Sequence, residues 1–307
     1  MKRPAFTLEQ LRSFVAVSET EHISQAAASL FLTQAAVTQQ VRHFERAVGL
    51  QLFERDGRRV RLTDAGRLLA DTCRAALRSV EVVEDSALGM RNLRAGSLEL
   101  GASPTCATYY VPPYLAEFTR QHPGIKLGMS VEPSTDLNRR VLVGTLDCAV
   151  VEGEPDPHLV AFEMTRDELI LVAHRDHPLS SLRRISEDDL AQHLYLGRGP
   201  QWSAEKHVRA MLGEAYDRVA VLNLGHPEYV RAAVLAGLGF CALSQRAVAG
   251  DLSSGEVKRL PVPSVLRSIS AVRRSTRGGP AQEAFWELLT GGPLTTSARI
   301  SADGNHA

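Results

Sequence analysis

Over the first 50 residues, apolar side chains recur every three or four positions, the period of helices that bury one face. The pattern predicts helices over residues 8–18, 25–30 and 34–48, and Ser24 and Thr33 are expected to cap the second and third. An Asp-Gly pair between two short apolar runs then predicts a hairpin whose second arm carries three arginines. Three helices and a basic hairpin predict an all-α-rich winged helix-turn-helix domain over residues 1–62.

A long helix is predicted from Thr63 to about Leu93. Along it, apolar side chains step by four and three residues, the spacing of a coiled-coil seam. The seam consists of Leu69, Cys73, Ala76, Val80, Val83, Ala87 and Met90. Packing on its own domain and pairing with a second copy could both bury this seam. Its position between two domains favours pairing, so 63–94 is predicted to be a dimerising linker helix.

After this helix, short apolar runs alternate with helical segments, a pattern typical of an α/β domain with mostly parallel sheets. Strands are predicted at 97–101, 126–131, 146–151, 169–174, 194–196, 220–224 and 240–243, and helices at 109–121, 136–143, 186–191, 204–212 and 228–236. The two sets predict two lobes within a regulatory domain over 95–292. Lobe I is expected at 95–165 with 267–292, and lobe II at 166–266. The small polar residues at 293–307 predict a disordered tail.

The overall composition does not by itself indicate a nucleic-acid partner, because 35 basic residues balance 35 acidic ones. The first 95 residues, however, hold 14 of the basic residues and 11 of the acidic ones, so the N-terminal part is mildly basic. The four scattered cysteines predict reduced core residues, and Cys106 is better explained as a core thiol than as a redox switch. No signal peptide or membrane-spanning stretch is recognised, so we expect a cytoplasmic protein without a membrane partner.

The third helix and the hairpin carry the residue types that read DNA. Amides pair with adenine, threonine methyls contact thymine, and arginines bind phosphates or reach the minor groove. The candidate DNA contacts are Ser24, Thr33, Gln34, Ala35, Ala36, Thr38, Gln39, Arg42, Arg55, Arg58, Arg59 and Arg61. A three-helix domain that binds protein is the alternative. The basic hairpin and the pairing helix beside it favour DNA.

Several ordered runs closely resemble the LysR-type transcriptional regulators. They are Leu11–Val17, Gln25–Leu30, Thr33–Arg42, Leu52–Arg55 and Leu62–Gly66, and the likeness continues to about Leu289. The resemblance implies an effector domain like a periplasmic binding protein, with two lobes joined by crossing strands. It also implies dimers that assemble into homotetramers on promoter DNA, and it leaves room for a contact with RNA polymerase.

Two positions depart from the family pattern. Ala35 stands where proline is frequent, and Gln39 where arginine is frequent, which puts the usual base preference in doubt.

Ligands of two-lobed α/β domains bind beyond the carboxyl ends of the strands, where three polar loops of this chain lead into helices. Hydroxyls and free N–H groups at helix starts favour a small anion. With the support of the resemblance, the candidate effector contacts are Ser103, Pro104, Thr105, Ser134, Thr135, Arg198, Trp202 and His226. Ser103, Thr135 and His226 could instead serve as helix caps, and Trp202 could pack within its lobe.

Two other functions fit the sequence less well. An enzyme is not indicated, because the sequence has no P-loop, HExxH, complete GxGxxG or nucleophile elbow, so no catalytic residue, metal or cofactor is expected. A plain solute-binding protein would fit the C-terminal part but not the DNA-binding module. The sequence therefore predicts a transcription regulator that binds promoter DNA and responds to a small, anionic metabolite.

Overall fold

A computed structural model of the chain describes residues 5–56, 59–89, 96–202, 204–276 and 278–291. The chain divides into two compact units, the first of which extends to Ala87. The predicted tail at 293–307 lies outside the described residues. No helix in the described part of the chain combines the length and the apolar character needed to cross a bilayer.

The first unit is a winged helix-turn-helix, as predicted. Its elements are α1 (Leu8–Thr20), α2 (Ile23–Ser29), α3 (Gln34–Val48), β1 (Phe53–Asp56), β2 (Arg59–Leu62) and α4 (Asp64–Gly89). Phe14 lies at the centre of its core, fully buried, with the rings of Phe44 and Phe53 at 5.1 and 5.6 Å. Strands β1 and β2 pair antiparallel, so the hairpin is present.

Ser24 does not cap α2, contrary to the prediction. The helix begins at Ile23 with His22 as its N-cap residue, and no side chain caps it. The hydroxyl of Thr20 accepts a hydrogen bond from the His22 N–H (3.3 Å), and the helix starts two residues earlier than expected. Ser24 is therefore an exposed residue of the first helical turn.

The first part of the predicted seam on α4 is buried within the same chain. Cys73 is in the core of the first unit, and Leu69 packs against that core. Farther along, Ala76 is exposed and Val83 is 68% exposed. The side chain of Ala87 and the whole of Met90 lie outside the described residues. The prediction of a pairing seam is thus wrong for its first two positions, because the helix must also close its own domain.

The second unit is built on one nine-stranded sheet. Its strands are β3 (Gly96–Ala102), β4 (Ile125–Val131), β5 (Cys148–Glu152), β6 (Val160–His174), β7 (Tyr195–Gly197), β8 (Val221–Asn223), β9 (Phe240–Ser244), β10 (Val257–Arg259) and β11 (Val265–Arg273). Their order is β4-β3-β5-β11-β6-β9-β7-β8, and β10 pairs with β6. The helices are α5 (Pro104–Tyr109), α6 (Pro112–Gln121), α7 (Ser134–Val143), α8 (Glu187–Ala191), α9 (Glu205–Leu212), α10 (Pro227–Leu235), α11 (Ala249–Ser254) and α12 (Pro280–Leu289).

The two long strands β6 and β11 cross the middle of this sheet and pair antiparallel with each other. On one side, β3 pairs in parallel with β4 and β5. On the other, β7 pairs in parallel with β8 and β9. The expectation of mostly parallel sheets therefore holds within the two sides but not for the crossing strands.

Each side of the sheet has its own apolar core. Lobe I consists of β3–β5, α5–α7 and α12, and the rings of Phe118 and Phe285 meet edge to face in its core at 5.1 Å. Lobe II consists of β7–β10 and α8–α11, and Tyr195 and Phe240 lie 5.5 Å apart in its core. The two lobes and their crossing strands give the predicted two-lobed α/β architecture.

Candidate functional site

One face of α3 is buried and the opposite face is open. Val37, Val41 and Phe44 pack into the core of the first unit. On the open side, Gln34 and Arg42 are exposed and lie eight residues apart, so they share one face of the helix. The α3 surface can therefore present amide and guanidinium groups together, as a recognition helix does.

The N-terminal turn of α3 is held by hydroxyl groups. Thr33 accepts a hydrogen bond from the Ala36 N–H (3.2 Å) and caps the helix as predicted. The Thr38 hydroxyl donates to the Gln34 carbonyl oxygen (2.8 Å). The methyl group of Thr38 and the exposed Ala35 are thus left as apolar contacts at the start of the helix.

Of the remaining candidates for DNA contact, some are exposed and others lie outside the described residues. Gln39 and Arg61 are exposed. The side chains of Arg55 and Arg59 and all of Arg58 lie outside the described residues. Arg46, which sequence reasoning missed, follows Arg42 by one turn, and its Nε donates to the Arg42 carbonyl oxygen (3.3 Å). Its four-residue spacing from Arg42 was the signal that could have found it.

Two glutamates tie the hairpin to the helices. Oε1 of Glu45 accepts from the N–H groups of Leu52 (2.8 Å) and Phe53 (3.2 Å). Glu21, which ends α1 in the left-handed conformation (φ 49°), accepts from the Val60 N–H through its carbonyl oxygen (3.2 Å). These contacts fix the position of the wing relative to α3. Sequence reasoning missed both residues.

In the second unit, the carboxylate of Glu152 lies at the carboxyl end of β5 and is fully buried. Ser103, which caps α5, donates its hydroxyl to Glu152 Oε1 (2.7 Å). Ser134, at the start of α7, accepts from the Glu152 N–H (3.1 Å). Burial alone would raise the pKa of Glu152. The guanidinium groups of Arg267 and Arg198 and the hydroxyls of Ser103 and Thr105 nevertheless hold it below its usual value.

Arg267 on β11 joins Glu152 to a second buried carboxylate. It forms a salt bridge with Glu152 and donates from Nη2 to Asp167 on β6 (2.7 Å). Asp167 also accepts from the hydroxyls of Tyr110 (2.9 Å) and Ser244 (2.5 Å). The side chains of Arg267, Glu152 and Asp167 are at most 2% exposed, so the crossing strands carry a closed, buried ion network.

Arg198 is different, because the charge of Glu152 acts on its guanidinium but part of that group is buried without a hydrogen-bond partner in the described ranges. The residue is 7% exposed, and its guanidinium stacks over the Trp202 ring with 4.4 Å to the ring centroid. Within the described part of the chain, Nε and Nη2 of Arg198 and Nε1 of Trp202 are buried and have no hydrogen-bond partner. Burial lowers the pKa of Arg198. Each of these three nitrogens is a hydrogen-bond donor that has no acceptor among the described residues.

Arg198 is one of the residues that line a small cavity between the lobes. Its volume is about 10 Å³, and its walls include Thr105, Arg198, Ser244 and Arg267. A space of this size holds at most one water molecule. A larger ligand can enter this space only if the residues around it move apart.

The other candidate effector residues differ in burial and in the groups they contact. Pro104 is buried in the first turn of α5. Thr135 is exposed, whereas its neighbour Ser134 points inward to Glu152. His226 caps α10, and its Nδ1 accepts from the Glu228 N–H (3.3 Å). Burial and the nearby Arg198 charge lower the pKa of His226.

Cys106 lies next to this cavity in the fold but is fully buried. Burial and the nearby Glu152 charge raise the pKa of its thiol. The structure therefore favours the core-thiol interpretation, because a reactive cysteine needs a stabilised thiolate.

Comparisons with known proteins give a family for this arrangement. The model described as "Bacterial regulatory helix-turn-helix protein, lysR family" matches residues 8–67, and "LysR substrate binding domain" matches residues 91–292. A RuBisCO operon transcriptional regulator of Allochromatium vinosum is 32% identical over 304 residues, which cover 96% of this chain and 97% of that protein. A probable RuBisCO transcriptional regulator of Cyanophora paradoxa is 31% identical over 260 residues, covering 81% and 80%.

A solved structure shows the same fold. CbnR, a LysR family transcriptional regulator, matches with a TM-score of 0.68 at 20% identity, covering 97% of this chain and 99% of that one. The family matches span most of the chain, and the relatives are regulators rather than enzymes. The family predicted from the sequence is thus confirmed. The chain belongs to the LysR family of DNA-binding transcriptional regulators, with an effector-binding C-terminal domain.

Proposed function

We propose that this regulator reads promoter DNA with the first turns of α3 and is switched by a small anion bound between the lobes of its regulatory domain. The observation that carries the anion is Arg198, a guanidinium that is 7% exposed and has two unpaired nitrogens within the described residues. Buried donors without an acceptor are costly, and an anion would supply the missing acceptors.

For DNA, the exposed amide of Gln34 is a donor and an acceptor that can pair with adenine in the major groove. Thr38 has its hydroxyl engaged with the helix backbone, so its methyl group is available for a thymine methyl. Arg42 and Arg46 suit phosphate contacts, and so do the arginines of the wing, Arg61 among them. Val83, an exposed apolar residue of α4, suits pairing with a second copy.

The anion is tested by thermal unfolding of the full chain with a panel of metabolites. An anion that binds the folded state at about a hundred times its Kd stabilises it by about 2.7 kcal/mol. Arg198→Gln should remove this stabilisation. Arg175→Gln, which changes an exposed arginine of the same domain, should keep it. An equal thermal shift in the Arg198 variant would contradict the proposed site.

The DNA contacts are tested by footprinting and by titration of duplexes with single base changes. Gln34→Ala should lower discrimination at one base pair by about 1–3 kcal/mol. Arg42→Gln should weaken all duplexes alike and flatten the salt dependence. Identical base preferences before and after the Gln34 change would show that Gln34 does not recognise a base.

A further inference from the structure

The hydroxyl groups that were expected to bind the effector in lobe I are already engaged with the chain itself. Ser103 both accepts from the Cys106 N–H (3.4 Å) and donates to the Glu152 carboxylate (2.7 Å). Ser134 accepts from the Glu152 N–H (3.1 Å), and the Thr105 hydroxyl favours the charged form of Glu152. An anionic group brought to these hydroxyls would meet a buried carboxylate.

The opposite condition holds in lobe II. Nε and Nη2 form the edge of a guanidinium that binds two oxygens of one carboxylate or phosphate, and both are unpaired in Arg198 within the described residues. Stacking on Trp202 holds the plane of this guanidinium. The indole Nε1 of Trp202 adds a third buried N–H without a partner in the same part of the chain.

We propose that the oxyanion of the effector is bound by lobe II alone, through Nε and Nη2 of Arg198 and Nε1 of Trp202, while Glu152 keeps it away from the hydroxyls of lobe I. This inference rests on the proposed function and deepens it. The end of the effector that faces lobe I then carries no second anionic group, because the buried carboxylate of Glu152 lies there. The ligand class is an oxyanion, either a carboxylate or a phosphate or sulfate group.

Equilibrium dialysis of the full chain against labelled inorganic phosphate, sulfate and acetate tests the oxyanion site with simple probes. Trp202→Phe retains a ring for stacking but removes the N–H donor. It should weaken binding of the preferred probe about tenfold, the value of one hydrogen bond to a charged group. Ser103→Ala should leave the affinity unchanged. The probe that binds best distinguishes a carboxylate from a phosphate or sulfate group.

A second measurement keeps Trp202 in place, so its result does not depend on whether the Trp202→Phe variant folds. The chain has two tryptophans, and the other, Trp286, lies in the core of lobe I. In a Trp286→Phe background, the fluorescence of Trp202 should change with the same midpoint as dialysis. No change on saturation, or no saturable binding of any probe, would overturn the oxyanion site.

The variants also separate this inference from the proposed function. If Arg198→Gln abolishes binding while Trp202→Phe leaves it intact, or if Ser103→Ala is the more damaging change, the lobe II site is wrong although an anion still binds in the cleft. If Arg198→Gln binds the probe as well as the unaltered chain, both proposals fail.

Discussion

Replacing Arg267 with methionine tests the buried ion network on the crossing strands. The change removes the cation that pairs with Glu152 and Asp167 and leaves two carboxylates whose side chains are 1% exposed. Removing one partner of a buried ion pair costs about 3–5 kcal/mol, because the remaining charge is uncompensated. We expect the free energy of unfolding of the second unit to fall by this amount at neutral pH.

Urea unfolding, followed by tryptophan fluorescence from both lobes, measures the loss. Arg259→Met is the matched control, since Arg259 pairs with Glu168 at the surface of the same sheet, where the two side chains are 44% and 28% exposed. This exposed pair should contribute at most about 1 kcal/mol. Equal losses in the two variants would refute the argument from burial.

The pH dependence gives an independent check with a definite sign. In the unaltered chain the pKa of Glu152 is lowered, so its contribution to stability is present above the usual carboxyl pKa and is lost as pH falls through the lowered one. Without Arg267, the largest of the opposing charges is lost, so burial should raise the pKa of Glu152. Protonation then relieves the variant, so the difference in stability between the two proteins should narrow as the pH falls through the raised pKa of Glu152. A constant gap would show that Glu152 is not the group left unpaired.

Three further changes have expected outcomes. Glu45→Ala leaves two hairpin N–H groups without their acceptor, and it should lower stability by about 1–3 kcal/mol and weaken duplex binding measured by anisotropy. Tyr109→Phe removes the hydrogen bond from lobe I to Glu228 of lobe II, and it should lower the urea midpoint of the second unit, with unchanged unfolding contradicting a role in lobe closure. Phe14→Ala should cost about 3–5 kcal/mol and abolish cooperative melting of the first unit, and a normal melt would refute its place at the core centre.

The success of sequence reasoning in the first unit follows from local signals. Helix α3 has its predicted bounds, because Thr33 caps its start and Gly49 ends it in the left-handed conformation (φ 73°). Both signals lie within one helical turn of the boundary they set. The start of α2 was misplaced by two residues because Thr20, on the preceding helix, begins the turn with its own hydroxyl.

The crossing strands lacked such signals. The first half of β6, from Val160 to Arg166, has mostly exposed side chains, so no apolar run marks it as a strand. Its partner β11 pairs with it about 100 residues later in the chain. Strand pairing at that separation is set by the fold of both lobes and not by local sequence, which is why neither segment was predicted.

Glu152 shows most clearly why part of the candidate effector site could not be predicted from the sequence. Hydroxyls at helix starts predict an acceptor-rich or anionic neighbour, and at Ser103 that reasoning was chemically sound, because the Ser103 hydroxyl does donate to a carboxylate. Local sequence could not reveal that the carboxylate belongs to the chain itself, since Glu152 follows Ser103 by 49 residues and Arg267 follows Glu152 by 115. A sequence can therefore indicate which groups are able to bind an anion, but only the assembled fold determines which of them remain unpaired. Among the described residues, Arg198 and its stacking partner Trp202 carry buried donors that remain unpaired, so the affinity for an anion should be sought there.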